Sequence, residues 1–166
     1  METDSCTILH LTVDTISGII YDTKTMVPKV VMDTNVLMAA MRSQKGASFR
    51  MLSLIDSGKF TLCLSVPMVL EYEAAVKKQA RTTGLRTTDI DVIIDYLCLV
   101  GQHYKIYYLW RPFLRDQKDD MVLELAVTSN ANSIITYNRA DFKGADHFGI
   151  KVITPKDLLT QIGVFP

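Results

Sequence analysis

The chain has 166 residues, and its 18 Lys and Arg residues balance its 18 Asp and Glu residues, so the formal net charge is zero. This length fits one domain, and 48% hydrophobic with 22% charged residues excludes a chain that is disordered by composition. Zero net charge also excludes a protein that holds nucleic acid through a strongly basic overall field, so any contact with phosphate must come from a local site.

The predicted elements begin with residues 1–28, where β-prone stretches on either side of Ser17-Gly18 predict a short hairpin or arm. Residues 29–163 then form the main domain. Its first element, Lys29–Met32, is a short apolar run typical of a strand buried on both faces. Further strands are predicted at 60–64, 103–109, 133–136 and 151–153, and helices at 36–42, 48–56, 65–79, 88–99, 119–129 and from 154 onward. This alternation predicts an α/β fold, a three-layer α/β/α sandwich around a mostly parallel sheet.

The cysteines and the apolar runs indicate the compartment. Cys6, Cys63 and Cys98 are an odd number without CxxC spacing, which argues against a disulfide framework and against a zinc site. No apolar run reaches the roughly 18–20 residues that span a bilayer, and the first residues lack the basic region of a signal peptide. We therefore expect a soluble, cytoplasmic protein that contacts no membrane.

Polar residues follow the carboxyl ends of two predicted strands. Asp33 comes directly after the first strand, and Thr136 ends a later strand that leads into Asn138 and Asp141. Ligands of parallel sheets bind outside the carboxyl ends of the strands, so these residues are expected at one edge of the sheet. The alternative for Asp33 is that it only caps the following helix.

Helical spacing selects two further acids. Glu71 and Asp119 have apolar residues three and four positions away, which places them on core-facing stripes, whereas Asp120 shares its stripe with Glu124. A carboxylate on a buried stripe is costly unless it is paired, protonated or bound to a metal. A cap role for Asp119 and an ion pair for Glu71 are the alternatives.

Four acids from distant points of the chain each lie at a predicted strand end or on a core-facing helix stripe: Asp33, Glu71, Asp119 and Asp141. Carboxylates that are brought together repel one another, and one way to keep them ionised is a divalent cation. Oxygen donors without His or Cys suit Mg²⁺ or Mn²⁺ rather than Zn²⁺.

At this point the sequence resembles the PIN-domain family over about residues 29–163. The motifs that carry the resemblance are Val30-Val31-Met32-Asp33-Thr34-Asn35-Val36, Ser65-Val66-Pro67-Met68-Val69-Leu70-Glu71-Tyr72, Asp116-Gln117-Lys118-Asp119-Asp120-Met121-Val122-Leu123-Glu124-Leu125-Ala126 and Ser133-Ile134-Ile135-Thr136-Tyr137-Asn138. They are similar to those of the PIN-family toxins of bacterial toxin–antitoxin systems. The resemblance implies a small α/β/α fold, metal-dependent cleavage of RNA, a small antitoxin partner and self-association as a homodimer or higher oligomer.

Carried across by position, the resemblance makes Asp33, Glu71 and Asp119 the first three acids that bind metal and take part in catalysis. Asp120 is the rival metal ligand for the third position, because the family pattern often doubles this acid. The apolar residues at helical spacing around Asp119 favour Asp119 for this position.

The fourth position departs from the subgroup. Its members usually end the strand with Thr-Gly-Asp, whereas Asn138 stands here in place of the Asp. Some PIN toxins carry Thr-x-Asn-x-x-Asp-Phe instead, and this form makes Asp141 the fourth carboxylate.

The resulting hypothesis is a Mg²⁺- or Mn²⁺-dependent endoribonuclease, the toxin of a toxin–antitoxin pair. A metal-bound water would attack the phosphorus, with Glu71 or Asp141 orienting it. The residues expected to contact the RNA substrate are Asn35, Thr136, Asn138 and Arg139. The alternative is a catalytically degenerate PIN domain that acts as a binding or scaffold protein, which Asn138 favours and the three retained acids oppose.

Overall fold

The strands of the protein form one sheet. The computed structural model describes residues 27–84, 86–107, 109 and 111–165, and all structural statements refer to these. The strands are β1 (Lys29–Met32), β2 (Thr61–Leu64), β3 (Gln102–His103), β4 (Ser133–Ile135) and β5 (Lys151–Ile153). Their order is β3-β2-β1-β4-β5, and every pairing is parallel.

Helices cover both faces of this sheet. They are α1 (Thr34–Arg42), α2 (Ala47–Leu52), α3 (Val66–Thr83), α4 (Thr87–Val100), α5 (Gln117–Thr128) and α6 (Pro155–Gln161), and 3₁₀ turns at Arg139–Phe142 and Ala145–Phe148 precede β5. The helix α1 packs on α2 and on α3, and α3 packs on α4, whereas α5 packs on β1, β2 and β4. The crossover from β3 to β4 runs back across the sheet, so the right-handed rule places α5 on the opposite face from α1 to α4. The predicted three-layer α/β/α architecture is confirmed.

The central strand β1 is the most enclosed part of the core. Val30, Val31 and Met32 are fully buried, because β2 and β4 flank the strand and helices cover both of its faces. Tyr72 of α3 is also fully buried, and its hydroxyl donates to the Met32 carbonyl oxygen. The carboxyl end of β1 is therefore tied to α3.

Glycine permits two of the turns. The helix α3 ends at Gly84, whose φ of 73° lies in the left-handed region that side chains disfavour. Gly101 sits where α4 turns into β3, and a methyl group there would lie 2.5 Å from Leu64 Cδ1 and 2.9 Å from the Leu97 carbonyl oxygen. The close approach of these elements therefore requires a residue without a side chain.

The predicted strand at 103–109 is wrong in its extent, because β3 ends at His103. The backbone N–H of Tyr104 donates to the Leu64 carbonyl oxygen at 2.8 Å. Leu64 is the last residue of β2, so the neighbouring strand offers no further partners. The chain leaves the sheet at this point.

Other predictions differ from the structure or fall outside it: the helix predicted at 48–56 ends at Leu52, and the helix predicted at 65–79 continues to Thr83. The helix predicted from residue 119 begins at Gln117, because the Asp116 carboxylate caps it by accepting from the Lys118 N–H at 3.0 Å. The predicted arm at 1–28 lies outside the described residues except for its last two. Within the described ranges, every helix falls short of the length and apolar character that a membrane span requires.

Candidate active site

The candidate site lies where the chain reverses its progress across the sheet. From β1 the chain moves outward to β2 and β3, then returns to pair β4 with the other side of β1. In open parallel sheets this switch point leaves a crevice at the carboxyl ends of the two diverging strands. Asp33 and Thr136 directly follow these two strands, β1 and β4, as predicted.

Asp33 is held rigidly at the end of β1. Its backbone N–H donates to the Ile135 carbonyl oxygen at 2.9 Å, and its side chain is the N-cap of α1, accepting from the Asn35 N–H at 3.4 Å. The Thr136 hydroxyl and the Asn35 side-chain amide each donate to Asp33 Oδ2 at 2.6 Å. The residue is only 8% exposed, so these bonds fix the direction of its carboxylate.

The predicted substrate-binding residues after β4 belong to the same network. The Asn35 amide also donates to Thr136 Oγ1 at 3.0 Å, and the Asn138 N–H donates to that oxygen at 2.9 Å. The Tyr137 N–H donates to Asn35 Oδ1 at 3.3 Å. These groups therefore position Asp33 and join β1 to β4, while a contact with substrate stays a prediction.

Asp141 lies close enough to Asp33 to affect its ionisation. Burial is the main cause that raises the pKa of Asp33, and the negative charge of Asp141 adds to it. Hydrogen bonds from Thr136, Asn35 and the Thr34 N–H act in the opposite direction. Asp141 belongs to the 3₁₀ turn after β4, so the second strand end does deliver a carboxylate to this place, as predicted.

Asp119 is the most strongly perturbed acid of the site. Its pKa is raised to about 6, first by burial and then by the negative charges of Asp33, Asp116, Asp141 and Asp120. We call Asp33, Asp116, Asp119 and Asp141 the acid cluster. A carboxyl group in such surroundings takes up a proton near neutral pH unless a cation offsets the neighbouring charges.

Asp116 is the member of this cluster that the sequence reasoning missed. Together with Arg115 and Asp141 it lines a cavity of about 370 Å³. The signal in the sequence is an acid three residues before Asp119 at a helix start, where it serves as the N-cap. A capping role and a place in the acid cluster are therefore compatible at this residue.

Asp120, the rival third acid, has a different environment. It is 1% exposed, and its carboxylate accepts from the Leu114 N–H at 2.8 Å and from the Phe113 N–H at 3.3 Å. One turn further on, buried Glu124 pairs with Arg111 through two hydrogen bonds of 3.3 and 3.1 Å. The stripe that Asp120 shares with Glu124 is thus covered by the loop at 111–116, and Asp120 anchors that loop.

Glu71 lies in α3 beside the groove between α1 and α3. It is half-buried and lines a cavity of about 500 Å³ together with Arg42, Lys78 and Gln79. The adjacent Tyr72 points into the core, where burial and then the charge of Asp33 raise the pKa of its phenol. Glu71 is therefore next to a residue that bonds to Met32 at the end of β1, while Glu71 itself lines the groove together with basic and polar side chains.

Arg139, the predicted substrate-binding cation, makes an ion pair. Its guanidinium donates to the Asp157 carboxylate, which is also part of the capping box of α6 with Thr154. Arg139 is thereby fixed between the turn after β4 and α6, half exposed to solvent.

The acid cluster fits a hard divalent cation by its chemistry. Its donors are carboxylate oxygens alone, and the mutual repulsion that raises the pKa of Asp119 is what a bound cation would relieve. In the part of the chain that the structure describes, no three His, Cys, Asp or Glu side chains already stand in ligand geometry. The fit therefore concerns donor type and charge, with Asp33, Asp119 and Asp141 as the residues that would hold the ion.

The fold and the site define a three-layer α/β/α protein with an acidic centre at the switch point of a parallel sheet. The chain belongs to the PIN domain family, whose sequence profile matches residues 29–140. Members of this family are generally nucleases. This agrees with the resemblance that the four motifs carry.

Among solved structures, the chain is similar to the crystal structure of VapBC2 from Rickettsia felis bound to a DNA fragment from their promoter. The TM-score is 0.54 at 14% sequence identity, and the match covers 75% of this chain and 98% of that chain. This likeness shows a shared fold. No curated protein sequence matches the chain.

Proposed function

We propose that this protein is a Mg²⁺- or Mn²⁺-dependent endoribonuclease whose active site is the acid cluster. The observation that carries the proposal is the grouping of acids at the carboxyl edge of the sheet, where Asp33 follows β1 and where burial, followed by the charges of Asp33 and Asp141, raises the pKa of Asp119. Such crowding of acids costs stability, and binding the metal ion of a nuclease is the function that we propose for it.

Each residue has a distinct task in this proposal. The divalent ion would be held by three acids, Asp33, Asp119 and Asp141, and the hydrogen bonds from Thr136 and Asn35 keep Asp33 in place. The bound ion supplies Lewis acidity and lowers the pKa of water. Glu71 is proposed to orient the attacking water from α3.

The direct test is cleavage of single-stranded RNA by the purified full chain. Wild type should cleave with Mg²⁺ or Mn²⁺ and stop in EDTA, and Asp33→Asn should be inactive. Asp95→Asn, an exposed acid on α4, is the matched control and should cleave like wild type. Cleavage that persists in EDTA or in Asp33→Asn would refute the proposal.

Thermal unfolding gives a readout besides activity. A ligand that binds only the folded state raises its stability as its concentration passes the Kd. Mg²⁺ should therefore raise the Tm of wild type and of Asp95→Asn, and leave Asp33→Asn unchanged. Equal shifts in all three proteins would indicate a general salt effect and no site at the cluster.

A second candidate is a PIN domain that binds without cleaving. The observation that favours it is Glu71, which shares its groove with Arg42 and Lys78 on the surface of α3. Under this alternative the protein binds RNA in EDTA and in Mg²⁺ alike, and no product forms.

We also propose that the protein is the toxin of a toxin–antitoxin pair and that it self-associates. Two observations support this: the four motifs resemble those of PIN toxins, and the VapBC2 assembly of similar fold is a toxin–antitoxin complex. Induced expression in a bacterial host should arrest growth with wild type and not with Asp33→Asn. Co-expression of the product of the adjacent gene should restore growth, and light scattering should give a mass above the 18.7 kDa of one chain.

A further inference from the structure

The stretch from residue 103 to residue 111 has a composition unlike the rest of the chain. Aromatic residues make up 8% of the whole sequence. In this stretch the aromatic residues are Tyr104, Tyr107, Tyr108 and Trp110, and the basic ones are His103, Lys105 and Arg111. The stretch contains no acid. Alternating aromatic and basic residues are typical of surfaces that bind single-stranded nucleic acid.

The described part of this stretch, residues 103–107, 109 and 111, is called the basic–aromatic strip here. It leaves the sheet after His103, beyond the edge strand β3. Tyr107 is 74% exposed and Leu109 is 68% exposed, so burial in the core does not explain these large side chains. The Lys105 ammonium lies 5.3 Å from the centroid of the Tyr107 ring, which places a cation beside an open aromatic face.

A cavity of about 570 Å³ separates the basic–aromatic strip from the start of α3. His103, Lys105, Leu109 and Arg111 line it on one side, and Val66 and Pro67 line it on the other. This volume lies within the range of about 300–1,000 Å³ of small-molecule sites. Glu124 also borders the cavity, and Arg111 offsets its negative charge. The positive charge of Lys105 therefore makes the opening of the cavity attractive to an anion.

The cavity and the acid cluster share one edge of the sheet. Val66 follows β2 and His103 ends β3, whereas Asp33 follows β1, and all these strands are parallel. Neighbouring strands lie about 4.8 Å apart, so the ends of β1 and β3 are separated by roughly 10 Å. A short stretch of an extended single strand covers this distance.

We infer that the basic–aromatic strip is a binding subsite for an unpaired nucleotide of single-stranded RNA, flanking the cleavage position. The inference rests on the proposed nuclease function and adds the residues that bind the substrate beside the acid cluster. Tyr107 stacks on the base, and Lys105 contacts the adjoining phosphate. The basic–aromatic strip contains no acid, so it attracts a polyanion that must also approach the negatively charged acid cluster. An apolar partner peptide, by contrast, would leave the charge of Lys105 at the cavity opening without a counter-charge.

Binding of a fluorescein-labelled oligouridylate of about twelve nucleotides to the full chain in EDTA tests the subsite apart from cleavage. Tyr107→Ala should weaken binding about 5- to 100-fold, and Tyr107→Phe should restore it, because stacking needs only the ring. Tyr96→Ala, a half-exposed tyrosine on α4, is the matched control and should bind like wild type.

Salt dependence and strand form sharpen the test. Lys105→Ala should reduce the slope of log K against log salt by about 0.7, the value for one phosphate contact in a single strand. Lys59→Ala, an exposed lysine before β2, should leave the slope unchanged. A duplex of the same length should not distinguish Tyr107→Ala from wild type, because its bases are already stacked.

The outcomes separate this inference from the proposed function. If wild type cleaves RNA with Mg²⁺ while Tyr107→Ala keeps the wild-type Kd and KM, the subsite is wrong and the nuclease stands. If wild type does not cleave yet Tyr107→Ala weakens binding, the subsite stands and the nuclease is wrong. If Tyr107→Ala leaves RNA binding intact and lowers the mass in light scattering, the strip is a self-association face and the inference fails.

Discussion

Asp119 and Asp120 are adjacent in the chain, at the start of the same helix, and they have opposite environments. Asp120 is the more deeply buried, yet backbone N–H groups of the 111–116 loop satisfy its carboxylate. Asp119 is more accessible, yet it faces three other carboxylates and its pKa is raised to about 6. Burial alone therefore does not identify a functional acid. An acid that the fold leaves without compensating partners is the better indicator.

The largest expected effect in this comparison is on activity. Asp119→Asn should lower RNA cleavage on the order of 1,000-fold, because several kcal/mol of metal-derived stabilisation of the transition state are lost. Its folding should be retained, since removing a crowded charge relieves repulsion. Cleavage assays and urea unfolding of the same preparation measure both quantities. A variant that cleaves like wild type would move the active centre away from Asp119.

Asp120→Ala should have the complementary phenotype. It leaves the buried Leu114 N–H and the partly buried Phe113 N–H without their acceptor, so the free energy of unfolding should fall by about 2–4 kcal/mol. Urea unfolding measures this loss, and Asp95→Ala on the surface of α4 is the control. Wild-type stability in Asp120→Ala would contradict an anchoring role for this residue.

Arg111→Ala probes the second anchor of the same loop. Glu124 is 3% exposed and would lose its ion pair with Arg111, but water reaches the half-exposed Arg111 side. The expected loss in unfolding free energy is about 1–2 kcal/mol, smaller than for Asp120→Ala. Combined with Asp120→Ala, the two losses should not add, because both changes release one loop. Strict additivity in a double-mutant cycle would show that the loop has two independent anchors.

The smallest effect is the pH dependence of stability. The pKa of Asp119 is about 6 in the folded protein against 3.8 for the ordinary carboxyl group, so the folded state binds more protons between these values. Stability is therefore greatest below pH 4 for this group and falls as pH rises through 6. Because Asp119 is partly exposed, solvent screening reduces the expected loss to about 1 kcal/mol.

Metal-free wild type should show this fall in urea unfolding between pH 4 and about 7, and Asp119→Asn should lack most of it. The burial-raised pKa of Asp33 acts in the same direction, which accounts for a residual slope in the variant. The lowered pKa values of Asp89 and Asp157 have the opposite sign and act below pH 3.8. A stability that rises through pH 6 would contradict the assignment.

The sequence predicted the position of Asp33 and Thr136 well, because both depend on strand ends and on the topology of parallel sheets. It also favoured Asp119 over Asp120 as the third acid, and this choice stays a prediction, but the burial that helical spacing assigned to the two residues was wrong. Spacing along a helix compares a residue only with its own helix, and the loop that buries Asp120 comes from elsewhere in the chain. Tertiary cover of this kind has no local signal.

Glu71 shows a related limit. Its apolar neighbours at helical spacing include Pro67 and Ala74, both of which the structure leaves exposed. Alanine and proline tolerate solvent, so they indicate burial weakly. The strand predicted at 103–109 fails for a different reason: β2 ends at Leu64, so the chain beyond Tyr104 has no neighbouring strand to pair with. Metal binding by Glu71 and the other predicted ligands stays a prediction.

The bonding of Thr136 Oγ1 also assigns a direction to its proton. This oxygen accepts from the Asn35 amide and from the Asn138 N–H, so its own hydrogen has one remaining destination, Asp33 Oδ2. Oδ2 therefore receives two side-chain donors at 2.6 Å, whereas Oδ1 accepts from the Asn35 N–H at 3.4 Å. The two oxygens of one carboxylate thus have unequal hydrogen bonding. Thr136→Val would remove one of the two short bonds to Oδ2 without changing the shape of the side chain.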